Sequence, residues 1–149
     1  MSEITQQRVD ITQLAEYINK IQELSSISKM MAPTYLRDMI VGQDVAANLL
    51  AKAMHTDSKA KSKVEYAESI AYLERAREYL ESKSIKDTSE ARKQYVNIDA
   101  DVIVAKDNRA RTEALVSLLK SKLSQLRQAH DDLKKIAYGD QNMTGYEGM

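Results

Sequence analysis

The chain has 149 residues, of which 30% are charged, and its 22 Lys and Arg balance its 22 Asp and Glu at a formal net charge of zero. This balance argues against a simple polybasic nucleic-acid binder, and the absence of cysteine excludes disulfides, thiolate metal sites and a cysteine nucleophile. Because the sequence has neither a signal-peptide pattern at its N-terminus nor a run of about 18 apolar residues that could span a membrane, we expect a cytoplasmic protein.

Helix-breaking residues are nearly absent from positions 1 to 138, because the chain has one proline and three of its four glycines lie in the last eleven residues. Helix-forming residues are plentiful throughout. We therefore predict an all-α fold, an elongated helical bundle with long coiled-coil-like helices that forms an oligomer. Residues 1–138 are expected to make a single helical domain, and residues 139–149 a flexible tail.

The first helix is predicted over about 8–28, where apolar residues recur at heptad-like spacing: Ile4, Ile11, Leu14, Ile18 and Ile21. The second is predicted over about 33–54, since proline fits the first turn of a helix. Within it Gly42 lowers helix stability by roughly 1 kcal/mol relative to Ala and allows a kink. Asp57 or Ser58 offers an N-cap for a third helix, although the second helix could equally continue through.

The third helix is predicted over about 57–82, with a stripe of small and apolar residues: Ala60, Val64, Ala67, Ala71, Leu73, Ala76 and Leu80. A polar loop over 82–88 follows, and Thr88 is expected to cap a fourth helix over about 88–138. The stretch 97–104 interrupts the helical pattern; it is read as helix or as a brief break, and its alternation also fits a short strand.

The last helix carries a heptad seam that alternates steps of three and four residues. An apolar seam of this kind is typical of a helix that pairs with another helix. We predict that its aliphatic members mediate oligomerisation: Leu115, Leu119, Leu126, Leu133 and Ile136.

The sequence offers little for catalysis or metal binding. His55 and His130 are its imidazoles, and His130 has Lys134 where a second ligand would stand on the next helical turn. Asp99 and Asp101 would diverge by about 200° on a helix and could not share a cation. A glycine-rich phosphate-binding loop is also missing. We therefore expect a protein that is not an enzyme, with no catalytic residues, no metal site and no cofactor.

Basic residues interleaved with tyrosines indicate a different activity. Single-stranded nucleic acid is bound by cations that contact phosphates and by flat side chains that stack on bases. The residues predicted to bind nucleic acid are Lys59, Lys61, Lys63, Arg75, Arg77, Tyr79, Arg92 and Lys93. The alternative is that these basic residues are ordinary solvated positions paired with nearby glutamates, and that the tyrosines belong to the core.

The order of these features resembles a known family. After His55 come the three lysines, then the tract LERAREYL over 73–80, the RKQY of 92–95, the DADVI of 99–103 and the LRQAHDDLKKI of 126–136. Over roughly residues 45–137 this order is similar to the UvsY-type phage recombination mediators. The resemblance implies a small helical protein of the host cytoplasm that forms a ring and binds single-stranded DNA. It also implies a role in DNA recombination and repair, in which the protein helps load a RecA-like recombinase onto strands covered by single-strand-binding protein.

A second hypothesis accounts for the same patterns without DNA. A phage structural or adaptor protein, or a coiled-coil scaffold, would use the same apolar seams to assemble. Its basic residues would only keep the helices soluble, which agrees with the zero net charge. Salt-sensitive binding of DNA distinguishes the two hypotheses.

Overall fold

The computed structural model describes the backbone of residues 10–147, and the side chains of that range except those of Ser25 and residues 140–147. These residues form helices and no strand, which confirms the predicted all-α fold. In chain order the elements are α1 (Thr12–Gln22), a 3-10 turn (Leu24–Ser26), α2 (Ala32–Ile70), a π-helical turn (Ala71–Arg75), α3 (Ala76–Ser82), α4 (Ser89–Val96) and α5 (Ala100–Glu147). Ile4 and the predicted start of the first helix at about residue 8 lie outside the described residues.

The chain forms two compact units where the sequence predicted a single domain over residues 1–138. The terminal unit combines the residues up to Lys52 with those from Ser117 onward, and the central unit is Ala53–Val116. The long helices α2 and α5 contribute to both. The short helix α1 belongs to the terminal unit, whereas the π-helical turn, α3 and α4 belong to the central unit.

In the terminal unit, α1, the first part of α2 and the last part of α5 pack around Gly42. A Cβ atom at Gly42 would lie 3.0 Å from Tyr17 Cβ and 3.1 Å from Leu126 Cδ2, so a larger residue would crowd α1 and α5 where they approach α2. Helix α2 continues through this position, and its glycine therefore serves packing. An ion pair of 3.1 Å between Lys20 Nζ and Asp38 Oδ2 also joins α1 to α2.

The heptad seam of α5 lies in the core of the chain itself. Leu119, Leu126 and Leu133 are 0% exposed, because α1 and α2 of the same chain cover them. Leu115 is half-buried, and only Ile136, which is 38% exposed, keeps substantial accessible surface. The predicted role of this seam in oligomerisation therefore needs correction, because its leucines pack within one chain. The sequence could not show this, since a helix pair within one chain and a helix pair between chains require the same apolar pattern.

In the central unit, the predicted small-residue stripe faces the core. Ala71, Val96 and Val102 form a buried cluster on which Tyr72 and Tyr95 pack. The other buried apolar residues of this unit are Ala53, Ala60, Ala76, Leu80 and Val116. Leu73 was expected in the stripe but is 67% exposed.

The π-helical turn keeps this stripe continuous. Buried and half-buried positions follow steps of three and four residues up to Ala71, and the next buried position, Ala76, lies five residues later. In a regular α-helix a step of five would rotate the side chain about 140° away from the stripe. The wider π turn over Ala71–Arg75 absorbs the extra residue, so that Ala76 and Leu80 remain buried.

At two places the sequence left alternatives open, and contacts with other helices decide between them. Helix α2 runs through 55–58 without a break, because the Asp57 carboxylate lies 2.7 Å from Arg109 Nε and accepts a 2.7 Å hydrogen bond from the Thr112 hydroxyl of α5. The predicted helix over 88–138 is interrupted at 97–99, where Asp99 starts α5.

Other boundaries follow the prediction more closely. Thr88 caps α4 as expected, since its hydroxyl accepts a 3.1 Å hydrogen bond from the Ala91 N–H. The loop between α3 and α4 spans 83–88, and Ser84 adopts a positive φ of 54° there.

The end of the chain differs from the prediction. Helix α5 continues past Gly139 to Glu147, so the segment 139–149, predicted as a flexible tail, is helical as far as Glu147.

Candidate nucleic-acid interface

Arg75, one of the predicted nucleic-acid-binding residues, is bound by the chain itself. Its Nε and Nη2 atoms each donate a 2.8 Å hydrogen bond to the carboxylate of Asp99, which is 4% exposed. The Tyr95 hydroxyl donates a 2.7 Å bond to the same carboxylate. The backbone N–H groups of Asp101 and Val102 donate to it over 3.1 Å each, so that Asp99 also caps α5. We call Arg75, Tyr95 and Asp99 the clasp.

The electrostatics of the clasp confirm that its charges are satisfied. The hydrogen bonds from Arg75 hold the pKa of Asp99 far below its ordinary value and outweigh the opposing effect of burial. The same contact raises the pKa of Arg75. Because the guanidinium also lies 3.4 Å from Asp101, Arg75 positions the start of α5 and has little left to offer a phosphate.

Arg92 is likewise occupied within the central unit. It donates two hydrogen bonds to Asp87, of 2.6 and 2.7 Å, and a third of 3.2 Å to the backbone carbonyl of Tyr72. Its guanidinium carbon lies 5.6 Å from the centre of the Tyr72 ring. These contacts raise the pKa of Arg92 and lower that of Asp87. Arg92 therefore ties the loop before α4 to the π turn.

Arg77 and Tyr79 are only partly engaged. Arg77 lies 3.2 Å from Glu81 one turn away, and both side chains are about two-thirds exposed, at 69% and 65%, so the pair contributes little and could yield to another anion. The Tyr79 ring stacks on Tyr95 with centroids 4.9 Å apart, and the Lys83 ammonium lies 6.0 Å from its centroid. One face of this ring is therefore already covered.

The predicted lysines are the accessible cations of the site. Lys59, Lys61, Lys63 and Lys93 are exposed, and none of them makes an ion pair in the described part of the chain. They differ in their surroundings. Lys61 has Asp57 and Glu65 one helical turn away on either side, and Lys93 has Glu90 three residues before it.

Lys59 and Lys63 form a continuous surface with Tyr66, which the sequence-based site did not include. The three residues stand at positions i, i+4 and i+7 of α2 and so share one face of the helix over about 10 Å. Tyr66 is 70% exposed. None of the positions three or four residues from either lysine is acidic. We call these residues the Lys59–Tyr66 stripe; its signal in the sequence is the helical spacing together with the missing acidic neighbours.

The described residues present no other evident chemistry. No group of three or more His, Asp or Glu side chains is placed to hold a metal ion among the side chains that the structure describes, those of residues 10–139 apart from Ser25. His55 is exposed, and His130 Nδ1 lies 3.7 Å from Asp131. No described helix has a stretch long and apolar enough to cross a membrane.

Comparison of the chain with models of protein families, with curated proteins and with solved structures gives no match.

Proposed function

We propose that the chain is a single-stranded-DNA-binding recombination mediator that holds the strand on the Lys59–Tyr66 stripe. The observation that carries the proposal is an exposed tyrosine on the same helical face as two lysines without acidic neighbours. Such a surface supplies both elements that sequence-independent binding of a single strand needs, cations for phosphates and a ring for base stacking. Sequence preference should be slight, because neither contact reads base edges.

Assembly into a homo-oligomer is part of this proposal. One stripe provides only two phosphate contacts, which would bind weakly at physiological salt. Copies of the chain would repeat the stripe, so that one strand meets several of them and gains affinity through effective concentration. Because the α5 leucines are buried within the chain, the contacts between copies would come from other, exposed apolar residues.

The resemblance to the UvsY-type mediators supports the remaining steps of the proposal. A protein that binds the strand through phosphates and stacking can share it with single-strand-binding protein and pass it to a RecA-like recombinase without bond chemistry of its own. The chain would then act by binding and release alone, with neither cofactor nor catalytic residue.

The test is fluorescence anisotropy of a labelled single-stranded oligonucleotide and of the matching duplex at about 50 and about 200 mM salt. We expect preferential, salt-sensitive binding of the single strand. Lys59→Ala with Lys63→Ala should weaken binding and reduce the salt slope, by about 0.7 per lost phosphate contact. Tyr66→Ala should weaken it by about 1–3 kcal/mol for one stacked base.

The matched control is Lys61→Ala, compared with Lys63→Ala alone. Each variant removes one positive charge, but from different faces of α2, and Lys61→Ala should leave the affinity nearly unchanged. If folded protein fails to bind the oligonucleotide at low salt, the mediator function is wrong. The zero net charge and the arginines occupied by intramolecular contacts then favour the second candidate, a structural or adaptor protein without DNA binding. Equal losses for the Lys61 and Lys63 variants would contradict the placement of the site.

A further inference from the structure

An open groove in the terminal unit has the features of a docking site. It lies between the start of α2 and the last part of α5 and has a volume of about 540 Å³. Pro33, Ile40 and Val41 line it from α2, and Tyr138 lines it from α5. Ile40 is 51% exposed, Val41 39% and Tyr138 47%, although Met39 beside them is fully buried. Apolar side chains clustered in this way on a surface mark an interaction site.

The charge of the groove is of one sign. Arg37 on the α2 wall and Lys134 on the α5 wall contribute cations, and none of the side chains that line the groove is acidic. His130 also lines it, but its ring lies 3.7 Å from Asp131, which is outside the groove. An occupant that matches this surface must combine apolar side chains with acidic groups on both flanks.

The backbone of the walls determines the form of the occupant. Both walls are helices whose backbone groups are hydrogen-bonded within the helix, so the groove has no strand edge to which an extended peptide could add. A bound segment must satisfy its own backbone, and an α-helix does so. The walls, 33–41 and 130–138, each extend about 12 Å, which corresponds to about two turns of a bound helix.

We propose that this groove binds a short amphipathic helix of a partner protein, with apolar residues at i, i+3, i+4 and i+7 and acidic residues on both flanks. The apolar residues would cover Ile40, Val41 and Tyr138, while the acidic flanks would meet Arg37 and Lys134. This interaction goes beyond DNA binding and does not involve the Lys59–Tyr66 stripe.

The probes are two labelled synthetic peptides of about 15 residues, a length at which an isolated helix is marginal and can fold on binding. Both carry leucine at the four apolar positions; one has glutamate on the flanks and the other has lysine. With the full chain we expect the acidic peptide to bind at least about tenfold more tightly than the basic one. The variant Arg37→Glu with Lys134→Glu should reverse this preference, and Ile40→Ser should weaken both peptides.

The control Lys120→Glu with Arg127→Glu makes the same change of net charge at exposed positions of α5 and should leave the acidic peptide bound as before. Circular dichroism checks that each variant is folded. The proposal is overturned if neither peptide binds, if both bind equally, or if the Arg37 and Lys134 variant binds the acidic peptide normally. It is also overturned if single-stranded oligonucleotide displaces the acidic peptide and depends on Arg37 and Lys134, because the groove would then belong to a nucleic-acid site.

Discussion

Removal of the Asp99 carboxylate should be among the most destabilising single changes in the central unit. The side chain is 3% exposed and accepts five hydrogen bonds, two from Arg75, one from Tyr95 and two from backbone N–H groups that open α5. Asp99→Ala leaves the guanidinium of Arg75 with only Asp101 at 3.4 Å and removes the cap of α5.

The expected loss follows from these contacts. Breaking a buried ion pair from one side costs about 3–5 kcal/mol, and loss of an N-cap costs about 0.5–2 kcal/mol within the same change. Because the Arg75 side chain is 34% exposed, water can solvate it in part and the cost falls at the lower end of the range for a buried ion pair. We therefore expect Asp99→Ala to lower the free energy of unfolding by about 3 kcal/mol. A domain is typically stable by only about 5–15 kcal/mol, so such a loss is easily measured.

The assay is urea unfolding followed by circular dichroism, applied to a double-mutant cycle. Asp99→Ala, Arg75→Ala and the double variant should give a coupling energy of about 2 kcal/mol, since hydrogen bonds to charged groups contribute about 1.5–3 kcal/mol. Arg77→Ala is the matched control, because its exposed pair with Glu81 should contribute no more than about 0.5 kcal/mol. A loss below about 1 kcal/mol for Asp99→Ala, or additivity in the cycle, would refute the structural role of the clasp.

Three further results are expected. Because the pKa of Asp99 is lowered in the folded state, its contribution to stability is complete above the ordinary pKa of about 3.9 and is lost as the pH falls below that value. The difference in unfolding free energy between wild type and Asp99→Asn should therefore become smaller in urea titrations at acid pH. A difference that stays constant with pH would contradict this account of the pKa. Gly42→Ala should destabilise the chain by up to about 2 kcal/mol, because crowding of about 1–3 kcal/mol is offset by the roughly 1 kcal/mol that alanine gains in helix propensity. Gly139→Ala, which meets nothing within 4 Å, should be neutral or slightly stabilising in thermal unfolding. Leu126→Ala should cost about 2–5 kcal/mol at every protein concentration, and Leu118→Ala, at a residue 43% exposed, much less; a loss that depends on concentration would place the seam between copies after all.

The helical class, the loop before α4 and the cap at Thr88 could be predicted from the sequence because they depend on local patterns. The sequence could not predict that a helix starts at Asp99 and not at Asp57, since aspartate is a good capping residue at either position. The contacts of each aspartate with other parts of the chain determine the difference. Arg109 and Thr112 engage Asp57 inside a continuous helix, whereas Asp99 is fixed at a helix start by Arg75 of the π turn.

The candidate site was predictable to a similar extent. A sequence shows where the basic residues are, but it does not show which of them are bound by acceptors elsewhere in the chain. Arg75 binds a carboxylate 24 positions away, and Arg92 binds a backbone carbonyl 20 positions away. Lys59 and Lys63 are different, because the sequence itself shows that no acidic residue stands three or four positions from either of them. The buried α5 leucines could not be assigned to one partner from the sequence, since an apolar seam does not show whether its partner helix belongs to the same chain or to another copy.

The π turn also determines where the chain tolerates changes in length. Deletion of one residue from Ala71–Arg75 would convert the wide turn into a regular α turn and leave Ala76 four positions after Ala71, within about 40° of it around the helix. A second residue inserted there would instead rotate the residues before the turn by about 100° relative to those after it, and either Ala60 or Ala76 would then leave the core. The loop over 83–88, whose residues are all exposed, has no such constraint. Deletion of one residue should therefore be tolerated at the π turn, whereas insertions should be tolerated best in the loop that follows it.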